Sequence, residues 1–246
     1  MNDPAFLARP DGLRLAYRFA PGAGPLIVFL PGYASDMTGS KAEAVATWAA
    51  ANGRASLRLD YAGCGESDGR FEDGTLASWC DDAALIIDKI GGERLVLIGS
   101  SMGGWLALLL ARSLGNQVAG LIGIAAAPDF TQWGFSADEK AIIQANDRLE
   151  RASDYGPEPM ITTRTFWQSG QANLLLGGEI AIDCPVRLIQ GQCDDAVPWE
   201  TALTIANLLR SADVQVQLVK DGDHRLSRDQ DIALLLRTLG VLLESL

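Results

Sequence analysis

One histidine in 246 residues is too few for a His-based zinc site, which draws several ligands into one shell, so no metal or cofactor is expected. Cysteine is scarce as well. Cys64, Cys80, Cys184 and Cys193 show no C-x-x-C and no regular spacing, which points to reduced thiols in a cytosol rather than a disulfide framework. Basic residues are the minority, 20 Lys and Arg against 31 Asp and Glu, for a net charge of -11. A surface that negative repels phosphate backbones and anionic headgroups, which argues against nucleic-acid binding and electrostatic membrane docking. No apolar run approaches the roughly 18 residues a spanning helix needs, the densest being residues 105–111. No basic residue precedes Arg9, so neither a signal peptide nor a transit peptide is read at the start. The expectation is a soluble, cytoplasmic protein with no nucleic-acid partner and no stable membrane insertion, its oligomeric state open.

What is present is an ordinary globular composition, 48% hydrophobic and 21% charged with 26 Gly and 10 Pro, at a length that α/β folds often fill as one unit. Residues 5–9 and 13–19 flank Pro10-Asp11-Gly12, a turn signal between two strand-like runs, and predict an opening hairpin. After it, strand and helix alternate. Apolar runs at 26–30, 55–60, 95–98, 118–124, 186–190 and 214–219 are rich in branched residues and bounded by Gly, Pro or Asp, as buried strands are. Segments 40–51, 75–90, 102–114, 201–211 and 230–243 carry apolar residues at helical spacing. This order predicts an eight-stranded, mostly parallel sheet with helices on both faces.

One gap breaks the rhythm. The stretch 129–183 is far longer than a crossover requires and is read as a small helical cap inserted after strand 6, leaving 1–128 and 184–246 as the core. Within it, Ser136-Ala137-Asp138-Glu139 opens one helix, with Ile142, Ile143 and Leu149 at helical spacing, and residues 161–167 suggest a second.

The chemistry concentrates at Gly99-Ser100-Ser101-Met102-Gly103, a G-x-S-x-G between an apolar strand and a helix, which is the context of a nucleophile elbow. A Cβ at either glycine would collide with the neighbouring strand or helix. Gly65-Glu66-Ser67-Asp68-Gly69 matches the same pattern but leads into the polar Arg70-Phe71-Glu72-Asp73, so Ser67 has no helix N-terminus behind it and is read as a loop residue. A serine nucleophile needs a base, and His224 is the one histidine available. It follows the last predicted strand, at the same sheet edge as Ser101. The acid belongs at the end of the preceding strand, where Asp194 and Asp195 both stand. Asp194, third after Gly191, is preferred as the residue able to orient the imidazole, and Asp195 is the alternative. Two backbone N–H groups are candidates for an oxyanion hole, that of Met102 after the nucleophile and that of Tyr33 after the first crossover strand.

These residues, taken together, resemble the α/β-hydrolase superfamily. Within it the chain resembles the family of mitochondrial palmitoyl-protein thioesterase and acyl-glucuronide esterase enzymes and their bacterial relatives. The likeness runs nearly end to end. It is carried by Phe29-Leu30-Pro31-Gly32-Tyr33 with Ser35, Met37, Gly39 and Lys41, and by Asp60-Tyr61 with Gly63, Gly65, Ser67, Asp68 and Gly69. It continues through the elbow, Leu121-Ile122-Gly123, Cys184-Pro185, Asp194-Asp195 with Val197-Pro198-Trp199, and Asp223-His224-Arg225. The resemblance implies an α/β-hydrolase fold, a Ser101, Asp194 and His224 triad, and Ser67 as part of a post-strand loop. It also implies a cofactor-independent serine hydrolase, a carboxylesterase or acyl thioesterase, acting on a small-molecule or acyl-protein substrate. The alternatives are a cofactor-free peroxidase or lyase on the same fold, or an inactive binding module. Trp133, Phe135, Ile142, Ile143, Phe166 and Trp167 are expected to cover an apolar acyl site above Ser101, and Cys193 to be a buried small hydrophobe.

Overall fold

The computed structural model describes residues 3–152 and 159–246. The two N-terminal residues, read as free of a targeting leader, and residues 153–158 of the expected cap lie outside the described residues. Strands β1 (Ala5–Ala8) and β2 (Arg14–Ala20) form the antiparallel hairpin, with Asp11 Oδ1 accepting the Leu13 N–H at 3.2 Å in the turn. Then come β3 (Ala23–Leu30), α1 (Ser40–Ala51), β4 (Arg54–Leu59), α2 (Leu76–Ile90), β5 (Leu95–Ser100), α3 (Met102–Leu114) and β6 (Val118–Ile124). After the long excursion the chain rejoins the sheet through β9 (Val186–Gly191), α7 (Glu200–Leu208), β10 (Val214–Val219) and α8 (Asp229–Glu244).

The eight strands lie in the order β1-β2-β4-β3-β5-β6-β9-β10, antiparallel in the first two pairings and parallel thereafter. Side-chain alternation on the central strands supplies two cores, as a sheet buried on both faces requires. Leu26, Val28, Leu30, Leu95 and Leu97 face α2, α3 and α7, while Ile27, Phe29, Val96 and Ile98 face α1 and α8. Helix α3 is apolar all round until its last turn, and every residue from Met102 to Ala111 is buried. The connection reverses direction at β3, since β4 pairs on one side of it and β5 on the other. The carboxyl ends of β3 and β5 therefore mark the topological switch point, where ligands bind in open α/β sheets. The motif-bearing turns Pro31-Gly32-Tyr33 and Ser101 flank that point.

The excursion between β6 and β9 holds α4 (Phe130–Trp133), α5 (Ala137–Asn146), β7 (Arg148–Arg151), β8 (Met160–Thr163) and α6 (Arg164–Ala172). The α5 start is the expected one, with Ser136 and Glu139 closing a capping box. The rest differs from the sequence expectation. Leu149 is not helical, and residues 160–163 form the second strand of a hairpin with β7. The β-branched run Ile161-Thr162-Thr163 favours extended backbone, and Thr163, accepting the Phe166 N–H at 3.1 Å, caps α6 so that the helix begins only at Arg164. The segment is thus helical and β-hairpin together.

Candidate active site

Strand β5 runs into α3 through a single residue, Ser101, whose backbone sits at φ 54 and ψ -120. A side-chain-bearing residue there is strained by about 1–3 kcal/mol, and the surroundings hold it in place. Its N–H donates to Ile124 O at 2.9 Å, and its own carbonyl accepts from Ala127 N–H at 3.1 Å and Gly104 N–H at 2.9 Å. The glycines of the motif answer the steric expectation. A Cβ on Gly99 would lie 2.1 Å from the Gly103 carbonyl oxygen, and one on Gly103 would lie 2.1 Å from the Leu30 carbonyl oxygen. Backbone meets backbone at both points, so α3 packs against β3 and β5 with no room for a side chain.

The structure brings Ser101, His224 and Asp194 together from three loops at one sheet edge. Ser101 Oγ lies 3.1 Å from His224 Nε2, and His224 Nδ1 lies 2.9 Å from Asp194 Oδ2. Asp194 is a hydrogen-bond acceptor on all sides: Oδ2 also accepts Gln190 Nε2–H at 2.8 Å, and Oδ1 accepts the Ala196 and Val197 N–H groups at 2.9 and 2.8 Å. Burial pushes this carboxyl up, but the His224 bond, the backbone donors and the imidazole charge together hold it below the usual carboxylate range. An ionised Asp194 accepts a hydrogen bond from Nδ1–H and so holds the proton on Nδ1, which leaves Nε2 with a lone pair facing the Ser101 hydroxyl. Asp195, the alternative acid, is exposed and outside this network.

The loops carrying Asp194 and His224 support each other. A Cβ on Gly191 would lie 2.3 Å from the Gly222 carbonyl oxygen, and Cys193 N–H donates to that oxygen at 2.9 Å. On its outer side the His224 loop is tied to α1, because Lys41 Nζ donates to the Arg225 carbonyl at 2.5 Å. Lys41 and Gln190 are site residues that sequence reading left without a role. The signal for Gln190 was there, a polar residue at the end of the apolar run Val186–Gly191. Cys193, expected to be buried, is exposed, with Sγ 3.5 Å from the Lys220 carbonyl, and all four cysteines are free.

The turn after β3 passes directly beside the serine. A Cβ on Gly32 would lie 3.2 Å from Ser100 O and 3.4 Å from Ser101 Cβ, so a side chain there would crowd the elbow where the turn passes it. Neither the Tyr33 nor the Met102 N–H reaches an acceptor among the described residues. Met102 is the first residue of α3, where the helix dipole adds positive potential. The Tyr33 side chain points away from the chemistry and is packed among Phe71, Trp79, Phe130 and Phe166 at centroid distances of 4.8–6.0 Å. Its hydroxyl donates to the Ile161 carbonyl of β8 at 2.5 Å, and burial holds the phenol protonated, above its usual pKa.

Ser67 is engaged elsewhere. Its Oγ donates to the Asp60 carbonyl at 2.7 Å and accepts the Ala16 N–H at 2.8 Å, closing the loop after β4 onto β2. The apolar residues of the excursion are largely consumed in packing. Phe135 and Ile143 form a small core with Leu149, Phe130 and Trp167, Phe166 joins the main core, and Ile142 faces outward. The Trp133 and Trp167 indole N–H groups donate to the Pro128 and Thr131 carbonyls at 2.8 and 2.9 Å. Two surface hollows of about 410 and 250 Å³ lie elsewhere, lined in part by Phe19, Gly22 and Arg94 and by Arg9, Ser78 and Asp82.

A mostly parallel sheet with this order, whose strands end in a serine elbow, an aspartate loop and a histidine loop, defines an α/β-hydrolase. The chain belongs to that superfamily and, within it, to the family described as serine aminopeptidase, S33, whose model matches residues 23–149. Its relatives include the human mitochondrial palmitoyl-protein thioesterase ABHD10, 38% identical over 98% of this chain and 80% of its own length. Mouse α/β-hydrolase domain-containing protein 10 superposes with a TM-score of 0.92 at 36% identity, covering 99% of both chains. Est1E of Butyrivibrio proteoclasticus, solved with ferulic acid, shares the fold at a TM-score of 0.81 and 22% identity, over 98% of each chain. The ABHD10 relatives are named as mitochondrial, unlike the cytoplasmic enzyme the sequence reading expects. No helix among the described residues is long and apolar enough to cross a membrane.

Proposed function

We propose that this hydrolase is a serine enzyme that cleaves carboxylic ester or thioester bonds through an acyl-enzyme on Ser101. The observation that carries the reading is the continuous path from Ser101 Oγ through the His224 imidazole to the Asp194 carboxylate, at 3.1 and 2.9 Å. Ser101 Oγ attacks the acyl carbon while its proton passes to Nε2. The Asp194 anion stabilises the resulting imidazolium without itself taking the proton. The carbonyl oxygen, now anionic, is met by the Met102 and Tyr33 N–H groups, and each such donor is worth about 2.7–4 kcal/mol at the transition state. Collapse expels the alcohol or thiol, protonated from Nε2. Water then repeats the sequence in reverse, releasing the acid and restoring Ser101. No step draws on a metal or cofactor.

The thioester arm is supported by the name of the 38% identical relative, a palmitoyl-protein thioesterase, and the ester arm by the shared chemistry of the acyl-enzyme. A fluorophosphonate probe, followed by peptide mapping, tests the nucleophile, and a panel of aryl esters and acyl thioesters of graded chain length tests the substrate class. Labelling at Ser101 with turnover on the panel is the expected result. An unlabelled protein would return the binding-module reading, and labelling without turnover on any member of the panel would return the lyase or peroxidase reading.

A further inference from the structure

Gln190 stands out in the molecule because it is a buried polar side chain on a core strand, 1% exposed, with one half satisfied and the other not. Its Nε2 donates to Asp194 Oδ2 at 2.8 Å and contacts the Gly191 carbonyl at 3.3 Å. Its Oε1 has no partner among the described residues. An unpaired buried acceptor is a standing cost to the fold that an apolar side chain of the same size would not carry. Turning the amide over would not relieve it, since Oε1 would then face the Asp194 carboxylate oxygen. The amide is therefore held in one orientation, with its donor aimed at the atom that also receives His224 Nδ1–H.

We infer that Gln190 is a positioning residue for the triad, holding Asp194 Oδ2 where it accepts the imidazole N–H and thereby fixing the tautomer that leaves Nε2 free to act on Ser101. Four donors converge on Asp194: His224 Nδ1, Gln190 Nε2 and the N–H groups of Ala196 and Val197. A carboxylate has about four lone-pair sites, so this set saturates it. The two backbone donors both bind Oδ1, so among the described residues Gln190 is the one group besides the histidine itself that locates Oδ2. The inference rests on the Ser101 reading for its kinetic consequence. Its structural content, the state of the imidazole, can be read whether or not the enzyme turns over.

The test uses the full chain and two variants of nearly the same volume, Gln190→Met and Gln190→Glu. The first removes the donor, and the second replaces it with a group that repels Asp194 when ionised. A single histidine makes the imidazole resonances of His224 unambiguous. Wild type is expected to show one tautomer, with a low-field Nδ1–H proton. Both variants are expected to lose or broaden that signal and to lower kcat by about tenfold or more, the worth of a hydrogen bond to a charged group, with KM within about threefold. Gln190→Met is also expected to remain folded, because removal of the unpaired oxygen offsets part of the lost bond to the Asp194 carboxylate. If both variants keep the wild-type imidazole spectrum and kcat within twofold, or if both fail to fold, the positioning role is wrong and Gln190 is a packing residue. Loss of the Nδ1–H signal in the variants with no fluorophosphonate labelling of wild-type Ser101 would uphold the positioning and overturn the hydrolase reading instead.

Discussion

Asp194→Asn separates an orienting acid from a merely buried one, and its effect can be worked from the four donors around the carboxylate. Asparagine offers one acceptor oxygen where aspartate offers two. If that oxygen stays on the Ala196 and Val197 N–H groups, the new NH₂ faces His224 Nδ1–H and Gln190 Nε2–H, and the ring must turn to the tautomer with its proton on Nε2. Ser101 then has no base. If the amide flips, the turn at 196–197 loses both of its bonds to the side chain. In the first case Gln190 Nε2–H is left facing a donor, and in the second the Ala196 and Val197 N–H groups are. At about 1–3 kcal/mol for an unsatisfied group, the variant should lose about 2 kcal/mol of stability and remain folded. The kinetic loss should be larger, about 10⁴-fold in kcat, as for an acid-to-amide change that fixes the wrong tautomer. Asp195→Asn, on an exposed side chain, should stay within about twofold. Since the Asp194 carboxyl is depressed in the folded state, its ionisation contributes stability that is fully present above the unfolded value of about 3.9 and is lost as pH falls through the lower folded value. The deficit of Asp194→Asn should therefore be complete at neutral pH and shrink in strong acid. The measurements are kcat on an aryl ester, thermal unfolding from pH 2 to 8, and the His224 proton spectrum. Equal losses for the two asparagine variants, or Asp194→Asn retaining a tenth of the activity with the Nδ1–H signal in place, would refute the argument.

Ser101→Ala should lower kcat by about 10³-fold or more and abolish fluorophosphonate labelling, whereas Ser67→Ala should label and turn over normally. Because Ser67→Ala leaves the Ala16 N–H without its acceptor, it should cost about 1–3 kcal/mol in denaturant unfolding. Gly103→Ala places a methyl 2.1 Å from the Leu30 carbonyl oxygen and should destabilise by about 3 kcal/mol, with activity lost as the elbow shifts from the Gly32 turn; a normal melting temperature would mean α3 can slide. Trp167→Ala removes a half-buried indole and its bond to the Thr131 carbonyl, so it should lower stability by about 2 kcal/mol while the acyl-chain-length profile holds its shape. A shifted optimum would instead place Trp167 against the acyl group.

The core was legible because its signals are local and agree with one another. The run Leu95-Val96-Leu97-Ile98 can only be a strand buried on both faces, and Gly99 and Gly103 around Ser101 demand the tight strand-to-helix turn that the collisions with Gly103 and Leu30 backbone explain. Chain order then places His224 and Asp194 at the same edge, since every parallel strand must deliver its carboxyl end there. The excursion was harder for a physical reason. Residues 160–163 and 164–172 belong to different structures, and the apolar Ile161, Phe166 and Trp167 give no hint that a cap at Thr163 divides them. The strand depends on a partner, β7, that is itself only four residues long, and a two-stranded hairpin of that size has little stability of its own.

Burial produced the other difference. Apolar side chains in an inserted segment look the same in sequence whether they line a ligand site or hold the segment to the sheet, and here packing takes most of them. Phe166 sits among Tyr33, Trp79 and Phe130, and Ile143 is fully enclosed with Phe135 and Leu149. Tyr33 makes the consequence concrete. Its amide belongs to the turn beside Ser101, while its ring and hydroxyl are committed to Phe166 and the Ile161 carbonyl. The inserted segment therefore packs against the same turn that passes Ser101, so on the proposed mechanism a change in how it seats on the core would be felt first at the Tyr33 N–H.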